Sequence, residues 1–166
     1  RALVNGGWGF ISFNDPGELR AKVELAVKQA RLVGNEKSLI AQSDPIVDIV
    51  PLELIKDPLS ISLNDKKRLL DEYIDVIWST PSIQTSTISY SDGYKKVVFA
   101  NSEGSYIEQS RVDVTARITA MARDGSDVQQ SGISIGSKGD FGVVEDIHQQ
   151  IKGCAERAVQ MLAAPK

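Results

Sequence analysis

Between Val112 and Arg123 the chain alternates residue by residue: Val112, Val114, Ala116, Ile118, Ala120 and Ala122 on one side, Asp113, Thr115, Arg117, Thr119, Met121 and Arg123 on the other. A period of two sends these sets to opposite faces of a β-strand, so the run predicts a strand with one buried and one polar face. Ile83 to Tyr90, Lys95 to Ala100 and Val128 to Ile135 are strand-like too, and the alternating run extends from Gly104 to Ala122. Ser91-Asp92-Gly93, Asn101-Ser102-Glu103-Gly104 and Arg123-Asp124-Gly125 separate the runs, each with the Asp or Asn plus Gly chemistry of a hairpin turn. These segments predict a four-strand antiparallel meander.

Helical periods flank the strands. Asp15, Pro16 and Glu18 read as N-cap, first helical residue and capping-box partner of a helix. Its stripe is Leu19, Val23, Ala26, Val27, Ala30 and Val33, and Gly34-Asn35 closes it. A second helix is expected from Leu63 to Ser79, with Leu63, Leu70, Tyr73, Ile74 and Ile77 inward and Asp65, Lys66, Lys67 and Arg68 outward. A third, Val144 to Leu162, carries Ile147, Ile151, Cys154, Ala155, Ala158, Val159 and Leu162 on its inner stripe. Ala2 to Phe13, kinked at Gly6, Gly7 and Gly9, predicts two short strands or one bent strand that puts Trp8 and Phe10 on a shared face. Residues 36–62 hold Pro45, Pro51 and Pro58, which bar a long helix or a central strand. Helices and strands are grouped rather than alternating. The expected fold class is therefore α+β, a mostly antiparallel sheet with about three helices on one side, forming a single domain over residues 1–166. Arg1-Ala-Leu-Val-Asn5 reads as a strand already in progress, and Ala164-Pro165-Lys166 follows directly on a helix, so the sequence reads as a piece of a longer protein.

Composition narrows the chemistry. At 166 residues a chain buries about 70% of its unfolded surface, enough for a core without disulfides or metals. The sequence has one cysteine, Cys154, and one histidine, His148, too few soft ligands for a zinc site of its own. Nineteen basic against 22 acidic residues give no field to attract phosphate backbones, so direct nucleic-acid binding is not expected. Arg117, Arg123, Lys95 and Lys96 lack the interleaved aromatics of a single-strand groove. No run reaches the roughly 18 apolar residues of a membrane span. A cytoplasmic protein is expected.

The candidate groups fall mostly to structural readings. His148 stands at the edge of the last helix's apolar stripe among Glu145, Asp146, Gln149 and Gln150, and reads as a solvated side chain. Cys154 lies on the stripe and reads as a small buried hydrophobe. Gly136-x-x-Gly139-x-x-Gly142 lacks the Lys-Ser/Thr ending of a phosphate loop, and Gly6-Gly7-x-Gly9 leads into more strand rather than a helix. The pairs Asp71/Glu72 and Glu145/Asp146 are sequence neighbours on helices and so diverge. No catalytic constellation and no metal-ligand set is expected among these residues.

Gly6-Gly7-Trp8-Gly9-Phe10 before a helix rich in Ala and Val, Ser89-Tyr90-Ser91-Asp92, Ala100-Asn101-Ser102-Glu103-Gly104, Ala122-Arg123-Asp124-Gly125 with Gln130-Ser131-Gly132, and Ala155-Glu156-Arg157-Ala158 through Leu162-Ala163-Ala164-Pro165 occur in this order. Together they resemble the N-terminal domain of the TldD/PmbA family of zinc metallopeptidases, also called modulators of DNA gyrase. The resemblance implies a zinc held by an H-E-x-x-x-H helix in a C-terminal domain, and no such motif occurs in this sequence. It therefore implies a non-catalytic piece, inactive alone and without a cofactor of its own. It further implies homo- or heterodimers that enclose a proteolytic chamber and act on short or unfolded peptides. Gly7, Trp8, Gly9 and Phe10 are the candidate peptide-binding residues, where backbone could approach a substrate closely and a sheet edge could pair with it. In the other reading Trp8 and Phe10 anchor a core and the glycines relieve a bend. A regulatory module acting on a topoisomerase and a purely structural dimerisation domain are the alternative functions.

Overall fold

The computed structural model describes residues 1–35, 38 and 40–164, so part of the 36–62 stretch and the closing Pro165-Lys166 lie outside the described residues. Contacts divide the chain into two compact units, Arg1–Asp44 and Pro45–Lys166. Within them the chain has the expected α+β character, with antiparallel pairing dominant.

In the first unit, β1 (Ala2–Val4) and β2 (Gly7–Gly9) form an antiparallel hairpin with Leu3 opposite Trp8. Its two-residue turn is Asn5-Gly6, with φ of 51° and 81°, the positive pair that a twisted hairpin requires. α1 (Leu19–Val33) packs on the hairpin through Ala26 and Ala30. The contact is backbone to backbone: a Cβ on Gly9 would stand 1.8 Å from the Ala26 carbonyl oxygen, and one on Gly7 2.3 Å from that of Ala30.

Two expectations for α1 are corrected. The helix starts at Leu19, because Asp15 spends its carboxylate on the Gly17 N–H (2.9 Å) in a turn, and Glu18 sits at φ 52° without a side-chain cap bond. Lys22 ties that turn down by donating to the carbonyls of Asp15 and Gly17. The stripe is also narrower than its period implies. Only Ala26 and Ala30 are fully buried, since so close an approach leaves no depth for Leu19, Val23 or Val33, which are exposed.

The second unit is built on β4 (Ile83–Ala100), β5 (Tyr106–Asp124) and β6 (Asp127–Lys138), each antiparallel to the next. The alternating run of β5 is central, with Val112, Val114, Ala116, Ile118, Ala120 and Ala122 all buried. α2 (Leu63–Trp78) and α3 (His148–Leu162) cover this face, adding Tyr73, Ile77, Ile151, Cys154, Ala155 and Ala158 to the core. Ser62 caps α2, its hydroxyl accepting the Asp65 N–H.

On α2, Leu63 and Ile74, expected inward, are exposed, because the inward arc is centred on Leu70, Tyr73 and Ile77. Other features also differ from the reading of the sequence. Ser91-Asp92-Gly93 is no turn: β4 runs through it, pairing continuously with β5 from Tyr90↔Ala116 to Tyr94↔Val112. The expected strands Ile83–Tyr90 and Lys95–Ala100 are therefore one, because β5 offers an unbroken partner and the Asp92 carboxylate is engaged elsewhere. The fourth strand of the sheet is β3 (Val47–Val50), within the proline-rich stretch, parallel to Tyr106–Gln109. Pro45 and Pro51 confine it to a short edge position, as their missing donors demand. Finally, residues 141–144 form a separate 3₁₀ turn capped by Asp140, and Asp146 at φ 53° divides it from α3.

Candidate functional site

The glycine–aromatic hairpin is two-sided because of its alternation. Gly7 and Gly9 turn inward against α1, so Trp8 and Phe10 turn outward and are 53% and 60% exposed. Arg1, Trp8, Gly9 and Phe10 line a concavity of about 420 Å³, with the Arg1 guanidinium 5.5 Å from the Phe10 ring centroid. All four candidate residues thus meet at one hairpin, with the glycines holding the fold and the aromatics presenting the surface. Trp8 and Phe10 are not core anchors.

His148 is half-buried at the start of α3, its ring edge-on to Tyr73 at 5.0 Å and its Nε2 3.8 Å from a Glu72 carboxylate oxygen. Cys154 is buried, its Sγ 3.5 Å from the Ser131 hydroxyl. Among the described residues, no group of three or more His, Cys, Asp or Glu side chains is placed to hold a metal ion. The described residues therefore bring together no zinc-ligand set.

A polar cluster escaped the sequence reading. Lys66, expected to face outward, reaches down from α2 to donate to the Asp92 carboxylate, with 12% of its side chain exposed against 15% for Asp92. The Tyr90 hydroxyl donates to the same oxygen at 2.6 Å, and its ring stacks edge-on to Phe141 at 6.0 Å. Burial opposes ionisation of Asp92, yet the hydrogen bonds from Lys66 and Tyr90, with the Lys66 charge, hold its carboxyl below the usual range. Burial and the adjacent Asp92 push the Tyr90 phenol up. Lys66 shares the helical arc of Leu70, Tyr73 and Ile77, and Asp92 shares strand parity with Ile88 and Tyr90; that pairing of periods was the available signal. A second cleft, about 480 Å³ beside α2, is lined by Ile61, Asp65, Leu69, Glu72, Phe141 and Glu145 among others. Its charges are mostly used internally: Asp65 pairs with Arg68 at 2.8 Å and Glu145 with Lys56 at 2.6 Å.

Residues 56–164 match the family model described as the PmbA/TldA metallopeptidase central domain. The chain belongs to that family. A Synechocystis protein named metalloprotease is 42% identical over 99% of this chain, which spans 36% of that relative. One from Methanothermobacter thermautotrophicus, with the same name, is 30% identical at the same coverage of both chains. The chain thus spans about a third of the length of these PmbA/TldD relatives. Two crystal structures named for modulation of DNA gyrase share the fold. The Thermotoga maritima protein gives a TM-score of 0.71 at 14% identity over 99% of this chain and 37% of its own. The Bacteroides thetaiotaomicron protein gives 0.76 at 18% identity over 98% and 39%. The matched central domain, from Lys56 to Ala164, takes in a 3₁₀ turn at Pro58–Ser60, α2, β4, β5, β6 and α3, so the PmbA/TldD signature lies in the three long strands with their two covering helices.

Proposed function

We propose that this chain is the non-catalytic part of a cytoplasmic zinc metallopeptidase, in which it helps wall a dimeric chamber and holds extended polypeptide for cleavage. A metal bound outside the described residues would supply Lewis-acid polarisation and an activated water; the role of this chain's own residues is to bind and orient substrate. The family match and the names of the relatives support the peptidase part. The observation that carries peptide binding is the outward aromatic pair: Trp8 and Phe10 stand exposed on a hairpin whose other face is locked to α1 by Gly7 and Gly9.

The test follows from that geometry. Valine at Gly7 or Gly9 would drive a side chain into helix backbone and remove activity by unfolding, which says nothing about substrate. Trp8→Ala and Phe10→Ala leave the packed face intact. Covering one such ring with substrate is worth about 1.5–3 kcal/mol, so KM for an unfolded-peptide substrate should rise at least tenfold in the intact protein while kcat changes little. Unchanged KM in the double variant would show that the hairpin does not meet substrate.

A further inference from the structure

Five asparagines occur in the sequence, and only Asn5 is followed by glycine; Asn14, Asn35, Asn64 and Asn101 precede Asp15, Glu36, Asp65 and Ser102. An asparagine cyclises when the backbone nitrogen of the next residue reaches its side-chain carbonyl carbon. A Cβ on that next residue obstructs the approach, and glycine has none. The structure also leaves both reacting groups unengaged at Asn5. The residue is exposed at the tip of the β1–β2 hairpin, and its side-chain amide meets no hydrogen-bond partner among the described residues. The closing bonds of a two-residue turn belong to the flanking pair, here Val4 and Gly7, so the Gly6 N–H is free as well. Asn101 differs: its Oδ1 accepts the Glu103 N–H at 3.1 Å and the Ser105 N–H at 2.9 Å. After Asn64 the would-be nucleophile is occupied, the Asp65 N–H donating to the Ser62 hydroxyl at 3.1 Å.

The closed turn holds this reaction back. Asn5 sits at φ 51°, in the left-handed region. There ψ is about 47°, which carries the next nitrogen to the side opposite Cβ, so ring closure waits for the tip to open. Strands of three residues each hold that tip, and so short a hairpin frays readily. The tip is also packed on the end of α1. A Cβ on Gly34 would lie 2.6 Å from the Val4 carbonyl oxygen and 3.0 Å from that of Asn5, and one on Gly7 would lie 2.5 Å from the Gly34 nitrogen. A turn that came back longer would find no room there.

We propose that Asn5 is a self-modification site whose product irreversibly parts the hairpin from α1. The Gly6 nitrogen bonds to the Asn5 side-chain carbonyl carbon, and the bond from that carbon to the amide nitrogen breaks. The amide nitrogen leaves as ammonia, taking the Gly6 amide proton. Water then opens the succinimide at either carbonyl, giving aspartate or isoaspartate. Aspartate keeps the turn, because Asp-Gly suits the same pair of positive φ angles. Isoaspartate routes the backbone through the side chain and lengthens it by one carbon. A two-residue turn cannot absorb that carbon, so the register of Val4 with Gly7 is lost where the hairpin meets Ala30 and Gly34.

The test ages the full chain in mildly alkaline buffer. Its tryptic peptide ending at Arg20, which contains both Asn5 and Asn14, is read by mass spectrometry, with electron-transfer fragmentation to tell isoaspartate from aspartate. Conversion of amide to acid at Asn5 should run at least about tenfold faster than at Asn101, whose two hydrogen bonds must break first. Amide hydrogen exchange in α1 should rise in proportion to the isoaspartate formed. Asn5→Asp carries the new charge on an ordinary backbone and, freshly prepared, should keep wild-type exchange. Asn5→Gly keeps the turn but cannot cyclise, and its exchange should not change on ageing. Conversion at Asn5 no faster than at Asn101, or isoaspartate-containing chains with wild-type exchange in α1, overturns the proposal. So does equal loosening of α1 in aged Asn5→Gly or in fresh Asn5→Asp.

Discussion

Replacing Gly9 with alanine should release α1 from its hairpin. The new Cβ would lie 1.8 Å from the Ala26 carbonyl oxygen, 2.8 Å from the carbonyl carbon and 2.9 Å from the Ala30 nitrogen. Ordinary contact begins near 3.4 Å, so helix and hairpin must part by about 1.6 Å. Every obstructing atom is backbone, and no side-chain rotation relieves the clash. A gap of even 0.5–1 Å forfeits about a quarter to a half of each dispersion contact, and overpacking against mobile side chains already costs about 1–3 kcal/mol. Against fixed backbone the upper end applies, about 3 kcal/mol. A unit of this size, Arg1–Asp44, has little stability to spare. Such a loss raises the open population on the order of a hundredfold. Amide hydrogen exchange followed by mass spectrometry reads it directly, with peptides spanning Ala26 to Ala30 as reporters and β5 peptides of the other unit as internal reference. The helix amides should exchange on the order of a hundred times faster, and those of β5 should not change. Wild-type exchange in α1 would mean that the close helix–hairpin contact is not present in solution.

Two further outcomes follow from the second unit. Gly93 is mid-strand, and a Cβ there meets nothing within 4 Å, so Gly93→Ala should stabilise the protein by about 0.5–1 kcal/mol in urea unfolding; destabilisation would point to the turn that the sequence suggested. The Lys66–Asp92–Tyr90 cluster sets a pH window. Asp92, with a lowered pKa, contributes stability that is present above its ordinary 3.8 and lost as pH falls through the depressed value. Tyr90, with a raised pKa, contributes stability that is present below its ordinary 10.0 and lost as pH climbs through the raised value. Lys66→Met should cost up to about 3 kcal/mol at neutral pH, because it leaves a largely desolvated carboxylate without its cation, and should flatten the acid limb of stability against pH. Superimposable acid limbs for wild type and variant would exclude the cluster as their cause.

Where local period and tertiary environment agree, the sequence is readable. The alternation of Val112 to Ala122 yields the central strand because the same residues that repeat every second position are those the helices bury. α3 is legible for the same reason, its stripe from Ile147 to Ala158 being apolar and buried throughout. α1 is not, since its burial is decided by residues in another element: glycines in β2 bring the backbones together, and only the alanines of the stripe can follow. Nothing in the helix itself announces that.

Asp92 shows the other way local signals mislead, and it bears on the site. Ser-Asp-Gly is turn chemistry because Asp can bond its own backbone and Gly tolerates positive φ. Neither property is used here: the carboxylate is held by Lys66 and Tyr90, and the strand stays extended through Gly93. Continuous pairing with β5, together with this long-range ion pair, gives an 18-residue strand where the sequence predicts a hairpin. The same ion pair, with the Trp78 Nε1–H donating to the Ser86 hydroxyl, seats α2 along that strand.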